Sequence, residues 1–278
     1  MANAKTLMHK PIAITQDSTV SDALRKLLDF DISRLVVKGN GRPAGIITEK
    51  DLGYFLFKDE GKHSLHNIQI TELANNLVYV NDSASPKKCA EIMFDKEISS
   101  LAVGTKERLQ GILTKTDIVK YYSENHAGKN KVADLKNLGY VSVQTEASLS
   151  EVIKKMLDHG IRRIIVINQK KEPVGIISFR DFFRISLQLG SEEDITEAAA
   201  LSGHMRTGFL AEKGFGGVSL ARDIMTPNII SVKPDDDLAY AAKMMVENKV
   251  SGLFVKDKEG RTGLVSKTDI VRLLTLVQ

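Results

Sequence analysis

Apolar residues recur at one helical spacing in several places along the chain. Val20, Ala23, Leu24, Leu27 and Leu28 stand at positions i, i+3, i+4, i+7 and i+8. The same intervals return at Leu149, Val152, Ile153, Met156 and Leu157, and at Leu238, Ala241, Ala242, Met245 and Val246. Side chains so spaced line one face of a helix. A fourth copy reads Pro86, Cys89, Ala90, Met93 and Phe94, with Ser85 placed to cap it and Pro86 suited to its first turn. After each helix comes a short aliphatic run: Ser33 to Val37, Ser99 to Val103, Arg162 to Ile167 and Ser251 to Val255. Runs this short and apolar predict buried strands. A polar turn follows, then a second aliphatic strand, then a helix that opens at Thr or Ser. The pattern predicts an α/β (α+β) fold built from four copies of one strand, helix, strand, strand, helix unit.

The last strand and last helix of each copy meet in a shared heptad. It reads Gly45-Ile46-Ile47-Thr48-Glu49-Lys50-Asp51, then Gly111-Ile112-Leu113-Thr114-Lys115-Thr116-Asp117, Gly175-Ile176-Ile177-Ser178-Phe179-Arg180-Asp181 and Gly263-Leu264-Val265-Ser266-Lys267-Thr268-Asp269. The last interval exceeds the others by roughly two dozen residues, which places an insertion between Ile185 and Asp223. Within it, 191–201 is rich in helix-forming Glu and Ala. Residues 203–217 mix glycine with His204, Arg206, Phe209, Lys213 and Phe215 and read as a long connection.

The element order, the fourfold heptad and the Asp223-Ile-Met-Thr-Pro227 lead-in to the last copy resemble CBS (cystathionine-β-synthase-type) repeats. The resemblance covers nearly the whole chain and is similar in repeat number to the gamma subunit of AMP-activated protein kinase and its prokaryotic relatives. It implies that repeats pair into pseudo-twofold Bateman modules and that two modules form a disc. The expected modules are 1–126, with repeats at about 5–57 and 70–123, and 127–278, with repeats at about 132–186 and 220–278; the insertion is 187–219.

Thr or Ser followed three residues later by Asp at a helix start has a plain structural meaning. The hydroxyl caps free N–H groups and the acid favours the positive end of the helix dipole. The reciprocal capping box usually takes Glu or Gln, so Asp in all four copies points further, to a carboxylate that accepts both hydroxyls of a ribose diol. A helix N-terminus also holds phosphate. The resemblance implies the same roles: Asp51, Asp117, Asp181 and Asp269 on ribose, Thr48, Thr114, Ser178 and Ser266 near phosphate, and Ile46, Ile112, Ile176 and Leu264 lining an adenine slot. By the same resemblance the start of the middle strand carries cations toward phosphate, which selects Arg34, Arg162 and Arg163. A structural Arg between packed repeats is the alternative for Arg34 and Arg163. The second and fourth repeats carry Ser99, Ser100, Ser251 and Gly252 there, so unequal sites are expected. Lys115 and Lys267 read as solvated helix-start lysines.

Composition narrows the function. Of 278 residues 42% are hydrophobic and 27% charged, a globular balance, and 39 Lys and Arg against 35 Asp and Glu give a formal charge of +4. That mild excess suits anionic ligands and leaves RNA binding, or a scaffold role, as the alternative to nucleotide sensing. Cys89 is the only cysteine, which excludes an intrachain disulfide and suits a cytoplasmic setting. No apolar run reaches transmembrane length. His9, His63, His66, His126, His159 and His204 lack metal-site spacing and read as surface-loop residues, so no metal is expected. No nucleophile elbow, zincin or P-loop motif occurs. The expected function is a non-catalytic regulator that binds AMP, ADP or ATP, has no catalytic cofactor, and acts on a protein partner or as a homodimer.

Overall fold

The computed structural model describes residues 2–59, 64–135, 139–189, 220–227, 229–256 and 262–276. The expected features at 191–201 and 203–217, with His63 and His204, lie outside these.

The first repeat opens with a turn of helix, α1 (Ala4–Leu7), and continues as β1 (Ala13–Thr15), α2 (Val20–Asp29), β2 (Arg34–Gly39), β3 (Arg42–Thr48) and α3 (Glu49–Asp59). The second holds a 3₁₀ turn at Ile70–Glu72, then β4 (Tyr79–Val80), α4 (Pro86–Asp95), β5 (Ser100–Gly104), β6 (Leu109–Thr114) and α5 (Lys115–Asn125). The third has a 3₁₀ turn at Val132–Asp134, then β7 (Ser142–Gln144), α6 (Leu149–Asp158), β8 (Arg163–Ile167), β9 (Pro173–Ser178) and α7 (Phe179–Leu189). The fourth comprises α8 (Ala221–Ile224), β10 (Thr226–Pro227), β11 (Ser231–Val232), α9 (Leu238–Glu247), β12 (Gly252–Lys256), β13 (Thr262–Ser266) and α10 (Lys267–Leu276).

Every repeat builds the same three-stranded sheet, β1-β2-β3, β4-β5-β6, β7-β8-β9 and β11-β12-β13, in which the first strand runs parallel to the second and the second pairs antiparallel with the third, while β10 adds to the edge of β9. In the first repeat the β2–β3 hairpin turns at Asn40 and Gly41, both at positive φ (50° and 76°), a sequence suited to a two-residue primed turn. The apolar helix face is buried as its spacing predicts: Val20, Ala23, Leu24 and Leu27 of α2 are all within 1% of fully buried. The i+8 position is the rim of that face. Phe94 there is 40% exposed and lies under the Arg272 guanidinium, 5.8 Å from the ring centre.

Two compact units result, and their cores cut across the order of the repeats. Residues 12–76 and 141–229 form the one–three unit; residues 1–11, 77–140 and 230–278 form the two–four unit. In the one–three unit the α2 face packs into one core with Leu149, Val152, Ile153 and Met156 of α6 and with Phe179, Phe182 and Phe183 of α7. In the two–four unit Cys89, Ala90 and Met93 share a core with Leu238, Ala241, Ala242 and Met245. At about 1.5–3 kcal/mol for each large apolar side chain removed from water, these shared faces are the main driving force in each unit.

The segment that leads into each repeat docks on its neighbour along the chain. The Ala4 N–H donates to the Ala84 carbonyl (2.8 Å), Ile70 to Ser18 (3.0 Å), Val132 to Asp236 (3.0 Å) and Ala221 to Ala147 (2.8 Å). The lead-in then pairs with a third strand: His9 with Ile112 of β6, Asn75 with Ile46 of β3, and Thr226–Pro227 with Ile176 and Gly175 of β9. The heptad glycine is where this strand crosses. A β-carbon on Gly45 would meet the Asn75 carbonyl at 3.0 Å, and one on Gly111 or Gly175 would fall 2.7 or 2.4 Å from the sulfur of Met8 or Met225.

Candidate functional site: four capped helix starts

Each heptad ends one strand and starts one helix, and the Asp closes the turn in the same way each time. Asp51 Oδ2 accepts from the Thr48 N–H (2.8 Å) and hydroxyl (2.6 Å). Asp117 Oδ2 takes the Thr114 pair at 2.7 and 2.6 Å, Asp181 the Ser178 pair at 2.7 and 2.9 Å, and Asp269 the Ser266 pair at 2.8 and 2.6 Å. Asp therefore does reach back to the cap N–H as Glu or Gln would, so the choice of Asp does not by itself point beyond capping. Thr19 and Asp22 do the same at α2, outside any heptad. Capping alone does not mark a ligand site. What distinguishes the heptads is the location of the cap at the edge of β3, β6, β9 and β13, beside the residues expected to line an adenine slot.

Of those slot residues Ile46 and Ile112 are buried, at 9% and 2% exposure, while Ile176 and Leu264 are half-buried. The first helical N–H is already engaged: Glu49, Lys115 and Lys267 donate to the carbonyls of Ser33, Ser99 and Ser251 (3.0, 3.1 and 3.0 Å). A phosphate here would rely on the later amides and on side-chain cations.

The cations differ between the units. In the one–three unit Arg180 pairs with the buried Glu49 and with Asp31. Burial opposes its charge, and the two carboxylates overcome that and hold its pKa above the ordinary value. Arg163 lies among Arg162, Glu49, Arg180 and Asp181; burial chiefly, then Arg162, lowers it to about 10, so it stays cationic at neutral pH. Arg34 donates to the Ser33 hydroxyl (2.8 Å). In the two–four unit the two helix starts face each other: Lys115 donates to Thr268 Oγ1 (3.1 Å) and Lys267 to Thr116 Oγ1 (2.9 Å). These lysines thus bridge two helices, beyond the solvated role read from sequence.

Two site residues are not evident from the heptads. Asn75 Nδ2 donates to Asp51 Oδ1 (2.9 Å), and His9 Nδ1 lies 3.4 Å from Asp117 Oδ2. Burial works against ionisation of Asp117, yet the bonds from His9 and Thr114 hold its pKa below the usual carboxylate value. The signal in the sequence is positional: counted from the buried Ala4 and Ile70, His9 and Asn75 occupy the same place. His126, expected on the surface, is 6% exposed and stacks on Tyr122 with ring centres 4.7 Å apart.

The family model for the CBS domain matches four stretches, residues 4–57, 70–124, 132–188 and 221–276. The chain belongs to the CBS-domain family. Protein MJ1225 of Methanocaldococcus jannaschii is 25% identical over 95% of both chains. Its crystal structure, described as a candidate archaeal homologue of g-AMPK, superposes with a TM-score of 0.79 at 20% identity over 98% of this chain and 99% of that one. An uncharacterised conserved protein of Pyrococcus horikoshii gives 0.63, also at 20% identity, over 98% and 100%. A homoserine O-acetyltransferase of Methanococcoides burtonii is 24% identical over 68% of this chain but only 33% of the enzyme. CBS-domain proteins of this kind are generally regulatory, and no described helix is long and apolar enough to cross a membrane. Among the described residues no cluster of His, Cys, Asp or Glu suits a metal ion.

Proposed function

We propose that this CBS-domain chain is a non-catalytic regulator that binds adenine nucleotides (AMP, ADP or ATP) at its capped helix starts and reports nucleotide state to a protein partner in the cytoplasm. The observation that carries the reading is where the fourfold cap stands, at the edge of β3, β6, β9 and β13 beside Ile46, Ile112, Ile176 and Leu264. Each Asp is fixed through Oδ2 by two hydrogen bonds, and on Asp117 and Asp269 every hydrogen bond among the described residues falls on that oxygen. A carboxylate locked by one oxygen presents the other in a set direction, which suits a vicinal diol. The exchange of lead-ins between consecutive repeats supports modules at 1–126 and 127–278. A nucleotide that binds one packing of these repeats better than another shifts their populations by that difference in affinity.

The test is calorimetric titration of ligand-stripped protein with AMP, ADP, ATP and S-adenosylmethionine. Binding of at least one phosphorylated adenosine supports the reading; silence with all four sinks it.

A further inference from the structure

The first two heptads share one backbone design but differ in what surrounds the Asp. At Asp51 both carboxylate oxygens are engaged: Oδ2 by Thr48, and Oδ1 by the Asn75 amide at 2.9 Å. Asn75 is itself held in place, because its backbone exchanges two hydrogen bonds with Ile46 (2.8 and 2.9 Å). A diol arriving at Asp51 must displace that amide. At Asp117 the lead-in residue is His9, and it approaches Oδ2, the oxygen the cap already uses.

The residue after the Thr also differs. In the first repeat it is Glu49, 7% exposed and paired with Arg180; in the second it is Lys115. A carboxylate in the first helical turn takes the favourable position at the positive end of the dipole that a phosphate would otherwise occupy. A lysine there adds to the attraction.

We propose that the first-repeat site is closed by the chain itself, with Asn75 standing in for the ribose at Asp51 and Glu49 for the phosphate at the start of α3, while the second-repeat site at Asp117 takes a phosphorylated adenosine. This rests on the nucleotide reading and divides the four heptads into at least one structural and one ligand-binding copy. Glu49 and Asn75 are then blocking residues whose removal opens a site.

The experiment is calorimetric titration of stripped full-length protein with AMP, read as sites per chain, with thermal melts to confirm that each variant folds. Asp117→Asn loses charge-assisted bonds and is expected to bind at least ~10-fold more weakly at one site or to lose it. The double variant Glu49→Gln with Asn75→Ala is expected to gain one site per chain. AMP bound by Asp117→Asn at as many sites and as tightly as by wild type, or no gain in the double variant, overturns the proposal. If a variant does not fold, the wild-type side-chain amide NMR signal of Asn75 decides: unmoved by AMP is the expected result, and a shift caused by AMP contradicts it. Wild-type protein that binds no AMP defeats the nucleotide reading first, and this proposal with it.

Discussion

The ring of Phe179 lies against Gly53 so closely that a β-carbon on Gly53 would sit 2.6 Å from the ring Cγ. Phe179 is the residue after the Ser178 cap, is 2% exposed, and meets Tyr54 and Phe57 edge-on at 5.9 and 5.2 Å. Gly53→Ala therefore sets two effects against each other. Helix propensity favours alanine by about 1 kcal/mol, while overpacking a core ring costs about 1–3 kcal/mol. The ring is buried and held edge-on by Tyr54 and Phe57, so the variant is expected to be less stable in urea denaturation. A midpoint above wild type would show that the core yields.

The heptad glycines make a related prediction. On Gly45 a β-carbon meets the Asn75 backbone oxygen at 3.0 Å, whereas on Gly175 it meets the flexible side chain of Met225. Gly45→Ala is expected to cost more stability than Gly175→Ala, by about 1 kcal/mol, and to loosen the Asn75 segment in amide hydrogen exchange. Equal losses would mean that the lead-in backbone shifts freely.

Arg180 holds the buried carboxylate of Glu49. Removing one partner of a buried pair leaves the other uncompensated and costs about 3–5 kcal/mol. Because Arg180 is itself 27% exposed, the loss for Arg180→Ala is expected near about 3 kcal/mol. Adding Glu49→Gln should recover part of it in a double-mutant cycle. An additive cycle would deny that the two residues act as a pair.

His126 supplies the pH dependence. Burial chiefly, then Lys129, lowers its pKa below 6.5, and its Nδ1 is buried with no hydrogen-bond partner among the described residues. The unfolded chain then takes up a proton near pH 6.5 that the folded chain still refuses, so stability is full above that pH and is lost as pH falls toward the folded-state value. Melting temperature is expected to drop between pH 7 and 5 in the wild type and to drop less in His126→Phe, which keeps the stacking on Tyr122. Parallel pH profiles would remove His126 as the cause.

Much of this fold was legible from local pattern. The helix faces of α2, α6 and α9, the aliphatic strands and the Thr or Ser caps follow from spacing alone, because the forces that set them act within a few residues. The partners of those faces were not legible. All four helix faces are similarly apolar, so periodicity does not say that α2 shares its core with α6 and α7. The contacts of Asn75 with Asp51 and of Glu49 with Arg180 join residues 24 and 131 positions apart. The lead-ins that carry His9 and Asn75 are too short to show a period. The choice of Asp over Glu was over-read for a local reason: at these helix starts the Asp carboxylate closes on the cap N–H at 2.7 to 2.8 Å without the extra methylene of Glu.

The central claim is that the capped carboxylates bind an adenine nucleotide, and one calorimetric comparison tests it most directly. AMP is titrated into ligand-stripped wild-type protein and into the variant with Asp51, Asp117, Asp181 and Asp269 all changed to Asn, which keeps an acceptor for the cap and removes the charge. The account predicts saturable binding by the wild type and at least ~10-fold weaker binding by the variant, the loss of one charge-assisted hydrogen bond or more at each occupied site. AMP bound equally by both proteins, with both folded, would contradict it.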